Sequence, residues 1–169
     1  MAEVEPAGNR TQRLRFPLGY GGRVMSSGNE FSAEELAFLR PIFMTSAREH
    51  LASIARISGE LKETDAGDPA VEALHRSIHS LKGAALQIGF LQVGQTARMI
   101  EQVVLCARAL GPGAPAGWLA LVQRGVPVLT DLLDAIERDE EREQDAGLLL
   151  ALEDWLKKID EGDQCQAAG

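Results

Sequence analysis

Three residues in the stretch SIHSLKGAALQIGF, residues 77–90, combine into one chemistry: His79, Lys82 and Gly83. An exposed imidazole is a nucleophile near neutral pH. It can accept a phosphoryl group from an aspartyl phosphate and pass it on. The group it carries needs a cation nearby, steric room and a surface on which a partner can sit. Lys82 brings an ammonium that can swing toward an anion attached to His79. Gly83 removes a side chain one turn on, at a helix cost of ~1 kcal/mol relative to Ala, and so opens the approach to the ring.

These residues must be presented by a helix. Leu74, Ile78, Leu81, Ala85 and Ile88 recur at steps of four, three, four and three, which is a core-facing seam. On a wheel of roughly 100° per residue, His79 points roughly 140° from the centre of that seam. His75, Arg76, Lys82, Gly83 and Leu86 cluster around it on the outer face, where His75, Arg76 and Leu86 are candidate docking residues. Asp68 is a good N-cap, Pro69 a good first helical residue, and Gly89 a C-terminal cap.

The rest of the chain reads as helices that can pack on this one. Ser32 and Glu35 have capping-box spacing, and Phe31 and Leu36 have hydrophobic-staple spacing. Pro41 then predicts a break, with a longer helix starting there. Val93, Ala97, Ile100, Val104 and Ala107 form one stripe of a helix over about 90–110. GPGAPAG is a loop. Apolar periodic segments follow at 118–136 and 148–159, the first expected to be kinked or split by Gly125 and Pro127. The run ERDEEREQD between them is a solvated charge run. No strand signal stands out. The fold class is therefore all-α: an antiparallel bundle of four long helices with short flanking ones, over residues 31–160. Residues 1–30, with arginines at 10, 13, 15 and 23, read as a flexible leader in which Met25 is a candidate start. Residues 161–169 read as a flexible tail.

Composition narrows the function. Hydrophobic residues make up 45% of the 169 residues and aromatics only 5%, which favours helix-on-helix packing. A net charge of −8 argues against nucleic-acid binding. The two cysteines, Cys106 and Cys165, make neither a disulfide framework nor a zinc pattern, so a reducing cytoplasm is expected. There is no run of membrane-span length, and no nucleotide-binding glycine motif that would make the chain a kinase by itself. His75 and His79, at i and i+4, could grip a metal, but no third ligand is evident, and no metal is assigned. His50 and Cys106 read as structural bystanders.

The segment HSLKGAALQIGF resembles the phosphoacceptor helix of histidine-phosphotransfer (HPt) domains, above all those at the N-terminus of chemotaxis-type histidine kinases. The family pattern His–x–x–Lys–Gly, then a glycine near the helix end and a hydrophobic residue, falls on His79, Lys82, Gly83, Gly89 and Phe90. In chemotaxis-type members a glutamate on the next helix hydrogen-bonds the phosphoacceptor imidazole, and TARMIEQVV puts Glu101 at the matching distance. Spacing agrees: Glu101 lies about as far past the Gly89 turn as His79 lies before it. The alternative for Glu101 is a surface residue paired with Arg98, which stands where the family often has a second histidine.

The resemblance implies a phosphocarrier, not an enzyme. His79 would take a phosphoryl group from a histidine kinase catalytic domain or a receiver aspartate and hand it to a response-regulator receiver. Mg²⁺ would sit on the partner, and this chain would bind no cofactor. A monomer with neither nucleic-acid nor membrane partners is expected. It could be a stand-alone protein or the phosphoacceptor domain of a larger kinase. The rival is a helical interaction module that binds a receiver or another helical partner without phosphorylation.

Overall fold

The computed structural model describes residues 31–167, with side chains to residue 160. The segment read as a leader lies outside the described residues, as do the side chains of the segment read as a tail. Five α-helices follow one another: α1 (Ala33–Glu60), α2 (Pro69–Ile88), α3 (Leu91–Leu110), α4 (Trp118–Arg138) and α5 (Ala146–Ala167). There is no strand among the described residues. α1 packs on α2, α2 on α3, α3 on α4, and α4 back on α1, closing an antiparallel ring of four. α5 lies against α3 and α4. It is 22 residues long, so the fifth helix is not a short flanking piece.

Local signals fix the ends of the helices near the site. Asp68 accepts from the Ala70 amide at 2.7 Å, and Pro69 starts α2. Gly89 ends it at φ 91°, a left-handed conformation that costs a glycine little, and the Phe90 amide reaches back to the Ala85 carbonyl at 2.8 Å. The chain then turns straight into α3. Leu74, Ile78, Leu81 and Ala85 are fully buried. Each such Leu or Ile contributes about 1.5–3 kcal/mol by burial, so the seam holds the opposite face of α2 toward solvent.

One expectation about proline, the break at Pro41, is corrected. α1 runs unbroken through Pro41. The ring removes one backbone donor, but the carbonyl it leaves unpaired belongs to Ala37, on an exposed part of α1 where water can reach it. Both sides of Pro41 are anchored. Arg40 donates to the Ile136 carbonyl and to Asp139 at the C-terminus of α4, a favourable place for a cation. Phe43 is buried with its ring 4.8 Å from that of Phe90. α4 likewise continues through Pro127 without splitting. Gly125 is there for contact: a Cβ on it would lie 2.3 Å from Ile100 Cδ1, so α3 and α4 come together closely at that point.

At the other end of the bundle, α4 has no cap of its own at Gly117. Glu63, from the α1–α2 connection, accepts from the amides of Gly117 and Ala120 at 3.1 and 3.2 Å. The Trp118 indole donates to the Glu63 carbonyl at 3.0 Å. The charge run over 137–145 is exposed apart from half-buried Gln144, and it pairs with itself and with α4 through Arg138–Glu140 and Arg142–Asp131.

Candidate functional site

α2 presents His79 with its side chain 62% exposed, while Lys82 and His75 on the neighbouring turns are about four-fifths covered. Glu101 faces them from α3. It is one of only three buried polar or charged residues among the described ones, 5% exposed. A buried carboxylate is costly unless it is hydrogen-bonded and paired, and this one is both. Its Oε1 lies 2.5 Å from His79 Nδ1, and its Oε2 accepts from Lys82 Nζ at 2.6 Å. His75 Nε2 stands 3.4 Å from Oε1. Burial alone would raise the Glu101 pKa, but the hydrogen bonds and charges of Lys82 and His79 outweigh it and hold the carboxyl below the usual carboxylate range.

An ionised carboxylate can only accept, so His79 Nδ1 carries the proton in this pair. The lone pair of a neutral ring then belongs to Nε2, which makes no hydrogen bond among the described residues. Above this face, a Cβ placed on Gly83 would meet nothing within 4 Å among the described residues. The arrangement is a fixed, exposed imidazole with its free nitrogen outward and an open approach beside it.

A family model for the Hpt domain matches residues 39–162. The chain belongs to the Hpt domain family. Hpt domains are phosphocarrier modules of two-component signalling that work with receivers and kinases. No curated protein matches the chain. Among the described residues, no helix of this Hpt domain is long and apolar enough to cross a membrane.

Several site residues sit differently from their sequence-based expectation. Lys82 does not reach outward; its ammonium is engaged by Glu101. Glu101, by contrast, meets the His79 ring as its spacing suggests, and the alternative pair with Arg98 is not formed among the described residues, where Arg98 is exposed. Leu86 is half-buried rather than on the outer face, and it packs onto α3, where a Cβ on Gly94 would fall 2.4 Å from its Cδ2. Arg76 is exposed and pairs with Glu72, which also holds Arg108 from α3. His75 has a third donor close by after all, because Glu101 completes a group of two imidazoles and a carboxylate. Gly94 was not legible as part of this region: a glycine in a helix gives no sign of which side chain from another helix will cover it.

The bystanders remain apart from the site. Cys106, on α3, has its thiol pKa pushed up by burial and then by Asp160. His50 is half-buried on α1.

Proposed function

We propose that His79 is the phosphoacceptor of this Hpt domain, using Nε2. The observation that carries the reading is the Glu101–His79 pair: a buried carboxylate engages Nδ1 of an exposed ring and leaves the nucleophilic nitrogen outward. In the forward step the Nε2 lone pair attacks the phosphorus of a receiver aspartyl phosphate or of a nucleotide in a kinase domain. The new N–P bond forms as the P–O bond to the leaving oxygen breaks, and the electron pair departs with that oxygen. The ring becomes cationic, and Glu101, bonded to Nδ1–H, offsets that charge. The reverse step hands the phosphoryl group to a receiver aspartate. Mg²⁺ and the other catalytic groups are expected on the partner.

The remaining residues support the transfer. Lys82 holds the second oxygen of Glu101 and keeps a positive charge one turn from the ring. Gly83 leaves the space through which the partner's active site approaches. Arg76 and His75 flank the docking face, with Leu86 at its inner edge. A cytoplasmic setting and a chemotaxis-like circuit belong to this reading.

Incubation of the full chain with a phosphorylated receiver tests it. Acid-labile label is expected on the parent and absent from His79→Gln, which should keep its helical circular dichroism because Gln is a good helix former and lose some melting stability with the bond to Glu101. Label that persists in His79→Gln and disappears in His75→Gln would move the acceptor one turn. A receiver that binds the parent but never labels it would favour the rival reading, a docking module without phosphorylation.

A further inference from the structure

His75, His79 and Glu101 bring two imidazole nitrogens and a carboxylate oxygen within 4.8 Å of one another. Two of these donors sit at i and i+4 on α2, and the third comes from α3, so the set is held by two packed helices. Around a tetrahedral zinc ion with donors at about 2.0–2.1 Å, neighbouring donor atoms lie roughly 3.3 Å apart. His75 Nε2 and Glu101 Oε1 already stand 3.4 Å apart. His79 Nδ1, at 2.5 Å, has to draw back by less than about 1 Å, and its ring is the exposed member of the three. The other oxygen of Glu101 is anchored by Lys82, which orients the carboxylate from outside the donor set. His75 Nδ1 is buried without a hydrogen-bond partner, so no such bond commits the proton of this ring to either nitrogen.

The geometry points to a site for a borderline divalent cation of the Zn²⁺ class on His75, His79 and Glu101, whose occupancy shuts off His79 as a nucleophile. Two imidazoles and one carboxylate are the donor types such ions take, with a fourth position left to water. The shut-off follows from the tautomer. A neutral ring gives its Nδ1 lone pair to a metal only when the proton sits on Nε2. The proton that Nδ1 shares with Glu101 therefore moves to Nε2, and the lone pair that would attack phosphorus is gone. The binding half of this inference stands alone. The switching half rests on the phosphoacceptor reading above.

The test uses ZnCl₂ and the full chain. Competition with a chromogenic chelator should show one zinc per chain bound by this site in the parent. Loss of one ligand in His75→Gln should weaken that affinity by about tenfold or more, since even outer-shell changes around a metal cost 10–100-fold. Acceptance of label from one phosphorylated receiver is then compared with and without zinc. The ratio should fall in the parent and stay near one in His75→Gln, which controls for any effect of zinc on the receiver. Equal zinc affinity in parent and variant would overturn the site. A difference in affinity with an unchanged transfer ratio would overturn the switch. A parent that never accepts label even without zinc would fail the phosphoacceptor reading, while the chelator measurement still decides the site.

Discussion

Gly83 and Gly125 both lie inside helices, and their surroundings are opposite. Over Gly83, on the outer face of α2, a Cβ would meet nothing within 4 Å. Over Gly125, between α3 and α4, a Cβ would run into Ile100, itself 1% exposed. One glycine is required by the packing of this chain. The other is required by nothing among the described residues and still carries the helix penalty of a glycine. A residue that costs stability without an intramolecular return points to something outside the molecule, and here it lies one turn from the candidate acceptor.

The sharpest way to break that contrast is to fill both positions. Gly125→Leu should cost about 3 kcal/mol or more, because overpacking a full interior forces strain, and denaturant melts of parent and variant measure it. A cost near zero would mean that α3 and α4 can part freely. Gly83→Leu should do the reverse: stability about 0.5–1 kcal/mol above the parent, with phosphoryl acceptance slowed about tenfold, the equivalent of ~1.4 kcal/mol in the barrier. Unchanged single-turnover rates would show that the open space is not an approach path.

Glu101→Gln sharpens the contrast from the buried side. Losing a charge-assisted hydrogen-bonded pair should cost about 1.5 kcal/mol at neutral pH and slow acceptance by weakening the hold on the Nδ1–H tautomer, which ¹⁵N shifts of the ring report directly. The sign with pH follows from the lowered carboxyl pKa of Glu101. Its contribution is complete above the unfolded carboxylate value of about 4.3 and fades as pH falls through the lower folded value. The stability gap between parent and variant should therefore close on acidification. A gap that widened below pH ~4 would contradict the pairing. The smallest effect concerns Cys106. In a Cys165→Ser background, its raised thiol pKa should make alkylation at neutral pH slower than that of an unfolded control. Equal rates would argue that the buried side of α3 opens readily.

What could be read in advance divides along the same line. The capping box at Ser32 and Glu35, the Asp68–Pro69 start and the Gly89 stop are local, and each stands as the spacing indicated. The seam of α2 fixed the outward direction of His79, and the turn length brought Glu101 alongside it. The failures are long-range. Pro41 predicts a break because proline suits only the first turn of a helix, and the Arg40 clasp to α4 lies outside its own helix. The wheel of α2 alone points Lys82 to the outer face, and it does not show the carboxylate of Glu101 waiting on α3. The same wheel points Leu86 to the surface, since the gap at Gly94 that receives it belongs to another helix. No spacing rule would have found Glu63 capping α4 from a distant connection.

Among the described residues, the hydrogen-bond and ion-pair partners that join the candidate acceptor to Glu101, Lys82 and His75 all come from α2 or α3, two consecutive helices joined by one tight turn with its own start and stop signals. α1 and α4 hold that hairpin in place, with α5 against α3, and none of the three supplies a polar partner to the site among the described residues. The reactive unit is therefore contiguous in the gene, while the framework that keeps it upright is spread over the remainder. Changes in the framework can retune rigidity, solubility or neighbours and leave the reacting groups untouched. Transplanting the hairpin alone would carry over the candidate site residues but strip the seam of the surfaces that bury it.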